Sequence, residues 1–254
     1  MFWPKDILQN LLLALPPVRN LAIRRHCTGM NSDPKLVRQT YEALVHMAPV
    51  AGRRILEIGP GQTLEVLAMA KKDGAAACSA VDVIRYADPA KAARMGIDYR
   101  VYGGRRLPFA DGSFDLVWAW DVLEHLRRPQ EVRNEVRRVL APGGRFVCRV
   151  DLRDHYHLAD ESRWLACLKY PEFLWNAMTW FRSSYVNRLR FSQWQRMFQD
   201  TGFCHCDIWP ATSQTLSALR EKKSYLRQYS DEDVTTWQFT AACSDRKPPA
   251  DFTD

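Results

Sequence analysis

Long hydrophobic runs are missing from this chain. Its N-terminal apolar patch (Phe2, Trp3, Ile7, Leu8, Leu11, Leu12, Leu13 and Leu15) is broken by Lys5, Asp6, Gln9 and Asn10 and closed by Pro16-Pro17, and it is too short to span a bilayer. No small-x-small cleavage site follows it and its early charges nearly cancel, so no secretory signal is expected. Clustered basic charge is missing too. The formal net charge of +7 invites a nucleic acid or an anionic surface as partner. Yet no run of five or more cations occurs, and doublets such as Arg24-Arg25, Arg105-Arg106, Arg127-Arg128 and Arg137-Arg138 read as solvated helix and loop faces. CxxC pairs are absent, and seven cysteines are an odd number in a chain that is not short. No disulfide framework and a reduced, cytoplasmic protein are therefore expected. Cys204-His205-Cys206 fails as a metal site, because neighbouring strand residues face opposite ways and His205 cannot share a face with both cysteines. A length of 254 residues suits one α/β domain with additions.

What the chain does have is Ile55-Leu56-Glu57-Ile58-Gly59-Pro60-Gly61-Gln62, an apolar lead, one acid and two glycines one residue apart. Behind it Leu64, Leu67, Ala68 and Lys71 fall at i, i+3, i+4 and i+7, a helical stripe that is apolar save its last member. This reads as a buried strand, a tight glycine turn and a helix N-terminus, which together bring backbone N–H groups close to a ligand. Glu57 repels a phosphate there and suits a ligand with a cationic part, an ammonium or a sulfonium. Asp82 closes a second strand, Ala80-Val81-Asp82, 21 residues after Gly61, where a carboxylate commonly grips two ribose hydroxyls. A dinucleotide fingerprint needs a third glycine at position 64, and Leu64 is too bulky for it. S-adenosylmethionine (SAM), a dinucleotide, and an ordinary turn with a buried acid all stay open at this point.

Further motifs follow in order. Leu107 to Trp118 is a loop, a turn at Asp111-Gly112 and an apolar strand, and Asp121-Val122-Leu123-Glu124-His125-Leu126 comes next. Pro129 opens a helix whose Val132, Val136, Val139 and Leu140 face a core. Ala141-Pro142-Gly143-Gly144 breaks it, and Arg145 to Val150 reads as another strand. From about Arg53 to Val150 the chain resembles the class I SAM-dependent methyltransferases, the branch with acid-x-Gly-x-Gly, LPF…DGSFDLV, DVLEHL and L-x-PGG segments. The resemblance implies a Rossmann-like α/β fold with a seven-stranded, mostly parallel sheet whose last strand is antiparallel, and SAM as cofactor. It implies that Glu57 holds the methionine end, with Gly59, Pro60 and Gly61 close to the cofactor. Asp82 would bind the ribose, Val83 would flank the adenine and Leu107 would lie beside it, with Trp120 and Asp121 near the methionyl side. Many relatives place an adenine-binding acid four residues before the LPF leucine; here that position is Gly103.

Three regions lie outside this core. Residues 1–50 are expected to be a helical lid over the cofactor or a membrane-surface segment, the second because a basic, Trp-bearing amphipathic start suits an anionic surface. Thr28-Gly29 ends its first part and Asp33-Pro34 opens a helix carrying Leu36, Val37, Tyr41, Leu44 and Val45. The methyltransferase domain is expected over 51–243, with an acceptor-side insertion at 151–190. That insertion is rich in Trp164, Tyr170, Phe173, Trp175, Trp180, Phe181 and Tyr185. These suit a sugar ring or flat acceptor, or equally a plain apolar cap. Asp154-His155-Tyr156-His157 with Asn187-Arg188-Leu189-Arg190-Phe191-Ser192 resembles bacterial methyltransferases found with polysaccharide and cell-envelope genes, which implies an envelope-glycan acceptor. Phe191–Asp200 reads as a helix capped by Thr201-Gly202, Phe203–Trp209 and Val234–Cys243 as the last strands, and 244–254 as a flexible tail.

Methyl transfer to a hydroxyl needs alignment and a proton acceptor. His155, with Asp154 beside it, is the first candidate base and His125 the second. No metal is expected, since Asp121-x-x-Glu124-His125 has no evident fourth ligand. The expected function is SAM-dependent methylation of a small-molecule or envelope-glycan acceptor at oxygen, by a cytoplasmic protein with a peripheral place at the inner membrane face open. A ribose methyltransferase acting on RNA and a non-catalytic SAM-fold scaffold are the alternatives. The chain lacks the Asn/Asp-Pro-Pro-aromatic and Pro-Cys motifs of base-modifying enzymes, so a nucleic-acid base is not an expected acceptor.

Overall fold

The computed structural model describes residues 3–25, 33–182, 185–200 and 202–245. Thr28-Gly29, Thr201 and residues 246–254 of the expected tail lie outside them. Helices α1 (Trp3–Ala14), α2 (Pro16–Arg24) and α3 (Pro34–Met47) precede the sheet. Asp33 caps α3 by accepting from the Lys35 N–H, with Pro34 at the first turn. Then alternate β1 (Arg54–Ile58), α4 (Glu65–Lys72), β2 (Ala77–Asp82), α5 (Pro89–Arg94), β3 (Ile97–Val101), β4 (Phe114–Trp120), α6 (Pro129–Val139) and β5 (Leu140–Asp151). The chain ends with α7 (Glu172–Thr179), α8 (Phe191–Gln199), β6 (His205–Thr212), α9 (Gln214–Lys222), α10 (Asp231–Thr235) and β7 (Thr236–Ser244).

The seven strands run in the order β3-β2-β1-β4-β5-β7-β6. All neighbours pair in parallel except β7, which is antiparallel to both β5 and β6. The expected architecture is therefore the observed one. Strand β5 begins earlier than expected: Leu140 already pairs with Phe114, and the ladder shifts register between Phe114 and Leu116 to absorb Pro142-Gly143-Gly144.

Period-two alternation divides the sheet into two apolar faces. Leu56, Ile58, Val117, Phe146 and Val150 pack under Val132 and Val136 of α6 and Phe191, Trp194 and Phe198 of α8. Ile55, Ala80, Leu116, Trp118 and Val147 pack under Leu44 of α3 and Leu67 of α4. A third cluster joins Leu165, Trp175, Met178 and Val186 of the insertion to Leu216, Leu226 and Val234. Most of the insertion's aromatic residues thus form a cap with its own core.

One expectation is overturned. Cys206 and Cys243 occupy facing positions of β6 and β7, with Cα atoms 4.1 Å apart, and are joined by a disulfide. The two are 37 residues apart, so only the antiparallel register reveals the pair. Cys204 is exposed and free, while His205 pairs with Asp207 at 2.9 Å, so Cys204-His205-Cys206 is no ligand set.

Candidate functional site

The carboxyl ends of β1, β2 and β4 lie side by side, since Ile58 is in register with Val81 and with Ala119. In α/β sheets this edge is where ligands bind. Strand alternation puts Glu57, Asp82 and Trp120 on one face here. Glu57 is 7% exposed, and its Oε2 has no hydrogen-bond partner among the described residues. Burial, followed by the negative Asp82, pushes its carboxyl up to about 8. Gly59 follows at φ +70° and donates its N–H to the Val81 carbonyl at 2.8 Å. A Cβ there would stand 2.6 Å from Val122 Cγ2, so both the left-handed backbone and the close approach demand glycine. Pro60 is buried behind it and Gly61, at φ +65°, is half-buried.

Asp82 accepts from the N–H groups of Val83 (2.7 Å) and Ile84 (3.3 Å). Burial still outweighs these bonds and the one from Gly61, raising its carboxyl to about 6. Val83 is exposed beside it, and no atom lies within 4 Å of where a Gly103 side chain would begin. Leu107, by contrast, is fully buried; its N–H donates to Glu135 Oε2 at 2.8 Å, so its side chain faces core rather than open surface.

At the end of β4, Asp121 has φ +54°, rare for a residue with a side chain. Arg149, directly across from Trp120 on β5, holds it there. The Arg149 carbonyl accepts the Asp121 N–H, and its guanidinium takes both Asp121 oxygens and covers the Trp120 ring at 4.5 Å. Arg149 was not among the sequence candidates. The signal for it was a cation set between Cys148 and Val150 of an otherwise apolar run.

A second cluster of titratable groups is built at the ends of β4 and β5. His125, in a 3₁₀ turn after β4 (Leu123–His125), places Nδ1 2.6 Å from the Tyr185 carbonyl. Only an N–H satisfies a carbonyl, so Nδ1 carries the proton and Nε2 the lone pair. Burial, then neighbouring His155, lowers His125 to about 4, so it is neutral near pH 7. Its ring meets that of His155 edge-on at 4.9 Å. The partner of His155 differs from expectation. Asp154 is fully buried and accepts from the Tyr156 N–H, whereas His155 Nε2 stands 3.6 Å from Asp151 Oδ2. Four residues separate 151 from 155, and one turn of the chain after β5 brings them together. Burial pushes the Asp151 carboxyl up, but His155 and Arg153 outweigh this and hold it well below the usual range.

Glu124 lies beneath this pair, 1% exposed. Its Oε1 accepts from the Asp151 N–H at 3.3 Å, and its Oε2 has no partner among the described residues. Burial, then the negative Asp121 and Asp151, pushes it well above the usual carboxylate range. One donor atom each from Glu124, His125 and His155 lies within 4.8 Å of the others. The set can move a proton between its members or present three donors to a cation. His155 is the donor that spacing within Asp121-x-x-Glu124-His125 could not reveal.

The Asn187–Arg190 stretch supports this corner rather than reaching out for an acceptor. Asn187 bonds to the Leu123, Glu124 and Leu126 carbonyls, and Arg188 to that of Tyr170.

Residues 56–148 match a family model described as a methyltransferase domain. Methyltransferase GfsG of Streptomyces halstedii is 30% identical over 119 residues, 44% of this chain and 42% of that protein. An uncharacterised methyltransferase of Mycobacterium tuberculosis is 36% identical over 106 residues, 40% of this chain and 41% of that protein. The matched part is thus about two fifths of these relatives' length. Among solved structures, phosphoethanolamine N-methyltransferase 2 of Haemonchus contortus in complex with SAM is similar. It has a TM-score of 0.57, 18% identity, and coverage of 82% of this chain and 53% of that one, which speaks to the fold.

Proposed function

We propose that this chain, whose residues 56–148 are a domain of the class I SAM-dependent methyltransferase family, methylates an oxygen of a small-molecule or envelope-glycan acceptor with SAM. The observation that carries the reading is the buried Glu57 oxygen without a partner, set beside the Gly59–Val122 approach at the carboxyl edge of the sheet. An unpaired buried carboxylate is costly, and a cationic ligand end relieves that cost. The fit extends to Asp82, whose carboxylate suits a pair of ribose hydroxyls, and to the open space beside Val83 and Gly103, which suits a flat base.

SAM, when bound, supplies a methyl carbon made electrophilic by a positive sulfur. The rest of the work falls to this chain. Glu57 and the Gly59–Gly61 backbone would hold the methionine end. Arg149 fixes Asp121 and Trp120, which would lie near the methionyl side. Neutral His125, with Nε2 as lone pair, accepts the acceptor's hydroxyl proton, and His155 with Asp151 stabilises the resulting charge. A hydroxyl must give up its proton as it is methylated, and this buried pair offers a place for that proton, which is why oxygen is favoured.

The test is calorimetric titration with SAM and S-adenosylhomocysteine. Micromolar binding is expected. Asp82→Ala should weaken it by about a hundredfold, the worth of two charge-assisted hydrogen bonds, while leaving the melting temperature within a few degrees. No binding by the wild-type chain would overturn the reading in favour of a non-catalytic fold. Salt-sensitive RNA binding with methylation of RNA would replace the acceptor class.

A further inference from the structure

Helix α1 docks with its polar side inward. Asp6 and Asn10, one turn apart, are 8% and 3% exposed. Asn10 donates to the Ala177 carbonyl at 2.8 Å and accepts from the Phe181 N–H at 2.7 Å. Asp6 pairs with Arg182 at 3.3 Å, and that guanidinium also reaches the Asp6 carbonyl and the Gln9 side chain. The leucines point the other way: Leu8, Leu11, Leu12 and Leu15 are 46–60% exposed. Val18 and Leu21 of α2 and Phe173, Trp180 and Phe181 at α7 are exposed as well. These nine are the majority of the fourteen large apolar side chains exposed among the described residues.

A surface helix of a soluble domain normally buries its apolar stripe, and each of these half-exposed leucines forgoes about half of the roughly 1.5–3 kcal/mol that full burial gives. The inverted orientation therefore calls for an occupant outside the chain. Charge selects it. The single acid of α1 and α2, Asp6, is turned inward and paired, so the charge these helices present is positive: exposed Lys5 at the start of α1 and half-buried Arg19 in α2. A second copy of this chain would bring the same positive charge to both sides of the contact, with no exposed acid of α1 or α2 to meet it. An anionic bilayer takes both the leucines and the cations. Among the described residues no helix is long and apolar enough to cross a membrane.

We propose that α1 and α2 form a peripheral docking surface for an anionic lipid bilayer, with Leu8, Leu11, Leu12 and Leu15 entering the headgroup boundary and Lys5 and Arg19 meeting lipid phosphates. This surface acts independently of the methyl transfer. Its test is flotation of the full chain with phosphatidylcholine vesicles, with and without phosphatidylglycerol. Binding is expected only with phosphatidylglycerol, weakening as salt rises. Leu8→Glu and Leu11→Glu should each lower the partition by about tenfold or more, since 1.4 kcal/mol is tenfold, with unchanged circular dichroism and SAM affinity. Leu11→Ser, a milder change at the same exposed position, should lower it less. Absence of binding to either vesicle, or equal binding by the variants, would overturn the proposal. A lipid-free dimer that Leu11→Glu dissolves would overturn it too, and assign the face to a second copy.

Discussion

Replacing Glu57 by glutamine should stabilise the ligand-free protein while impairing it. The folded chain holds this carboxyl's proton up to about pH 8, whereas the unfolded chain releases it near the ordinary value of 4.5. A group whose folded value is raised contributes stability at acid pH that is lost as pH climbs from 4.5 through 8. At about 1.4 kcal/mol per tenfold change, the span from 4.5 to about 8 amounts to roughly 5 kcal/mol above pH 8 and about 3 kcal/mol at pH 7. Glutamine has the same shape and no charge, so Glu57→Gln removes this pH-dependent loss. For a domain of this size, where 1 kcal/mol moves the melting temperature by about 2–4 °C, the variant should melt about 10 °C or more above the wild type at pH 8.5. The two should converge near pH 5. Scanning calorimetry from pH 5 to 9 reads this directly. In SAM titrations at pH 7, run in buffers of different ionisation enthalpy, the wild type should release about one proton per ligand and the variant far less, with affinity at least tenfold weaker. Parallel melting curves across the pH range, or a variant less stable than the wild type at pH 8.5, would refute the reasoning.

Long-range proton–nitrogen NMR should show His125 neutral and protonated at Nδ1 down to about pH 5, because burial and His155 lower it to about 4 against the opposing Tyr185 bond; ordinary titration near 6.5 would contradict the burial of the ring. With a methyl acceptor in hand, His125→Asn and His155→Asn should each cut turnover by about 10²–10⁴ at unchanged SAM affinity, and wild-type turnover would remove them from the reaction. Arg190→Met should cost about 3–5 kcal/mol in urea unfolding. Arg190 is 1% exposed and donates to the carbonyls of Leu152, Asp233 and Thr236, all of which the thioether leaves bare. A loss below about 1 kcal/mol would show that water replaces the guanidinium.

The parallel half of the sheet was legible because its strands are short apolar runs ended by glycine turns, and Glu57, Gly59 and Asp82 stand at those ends where alternation alone sets their face. That Leu107 is buried, with its N–H held by Glu135, was not legible, since a motif position says nothing of which way a loop side chain turns. The partner of His155 was misread for a related reason: Asp154 is its neighbour in sequence, but the backbone after β5 folds Asp151 back to it. Arg149 with Asp121, and Cys206 with Cys243, depend on register between strands, which no single strand's pattern carries. The apolar residues of α1 were visible, yet periodicity reports only that a stripe exists. That it faces outward depended on Asp6 and Asn10 finding Arg182, Ala177 and Phe181 far along the chain.

That fastening has a consequence for how this chain can be recombined. Residues 3–25 and the segment around α7 are the two ends of one physical unit, stitched by bonds spanning 167 to 176 positions. Grafting the 151–190 segment from a relative without its N-terminal helix would leave Asp6 and Asn10 facing a surface with no matching donors or acceptors. A transplant of this segment must therefore carry both pieces together, although the parallel half of the sheet lies between them in the chain and can stay behind.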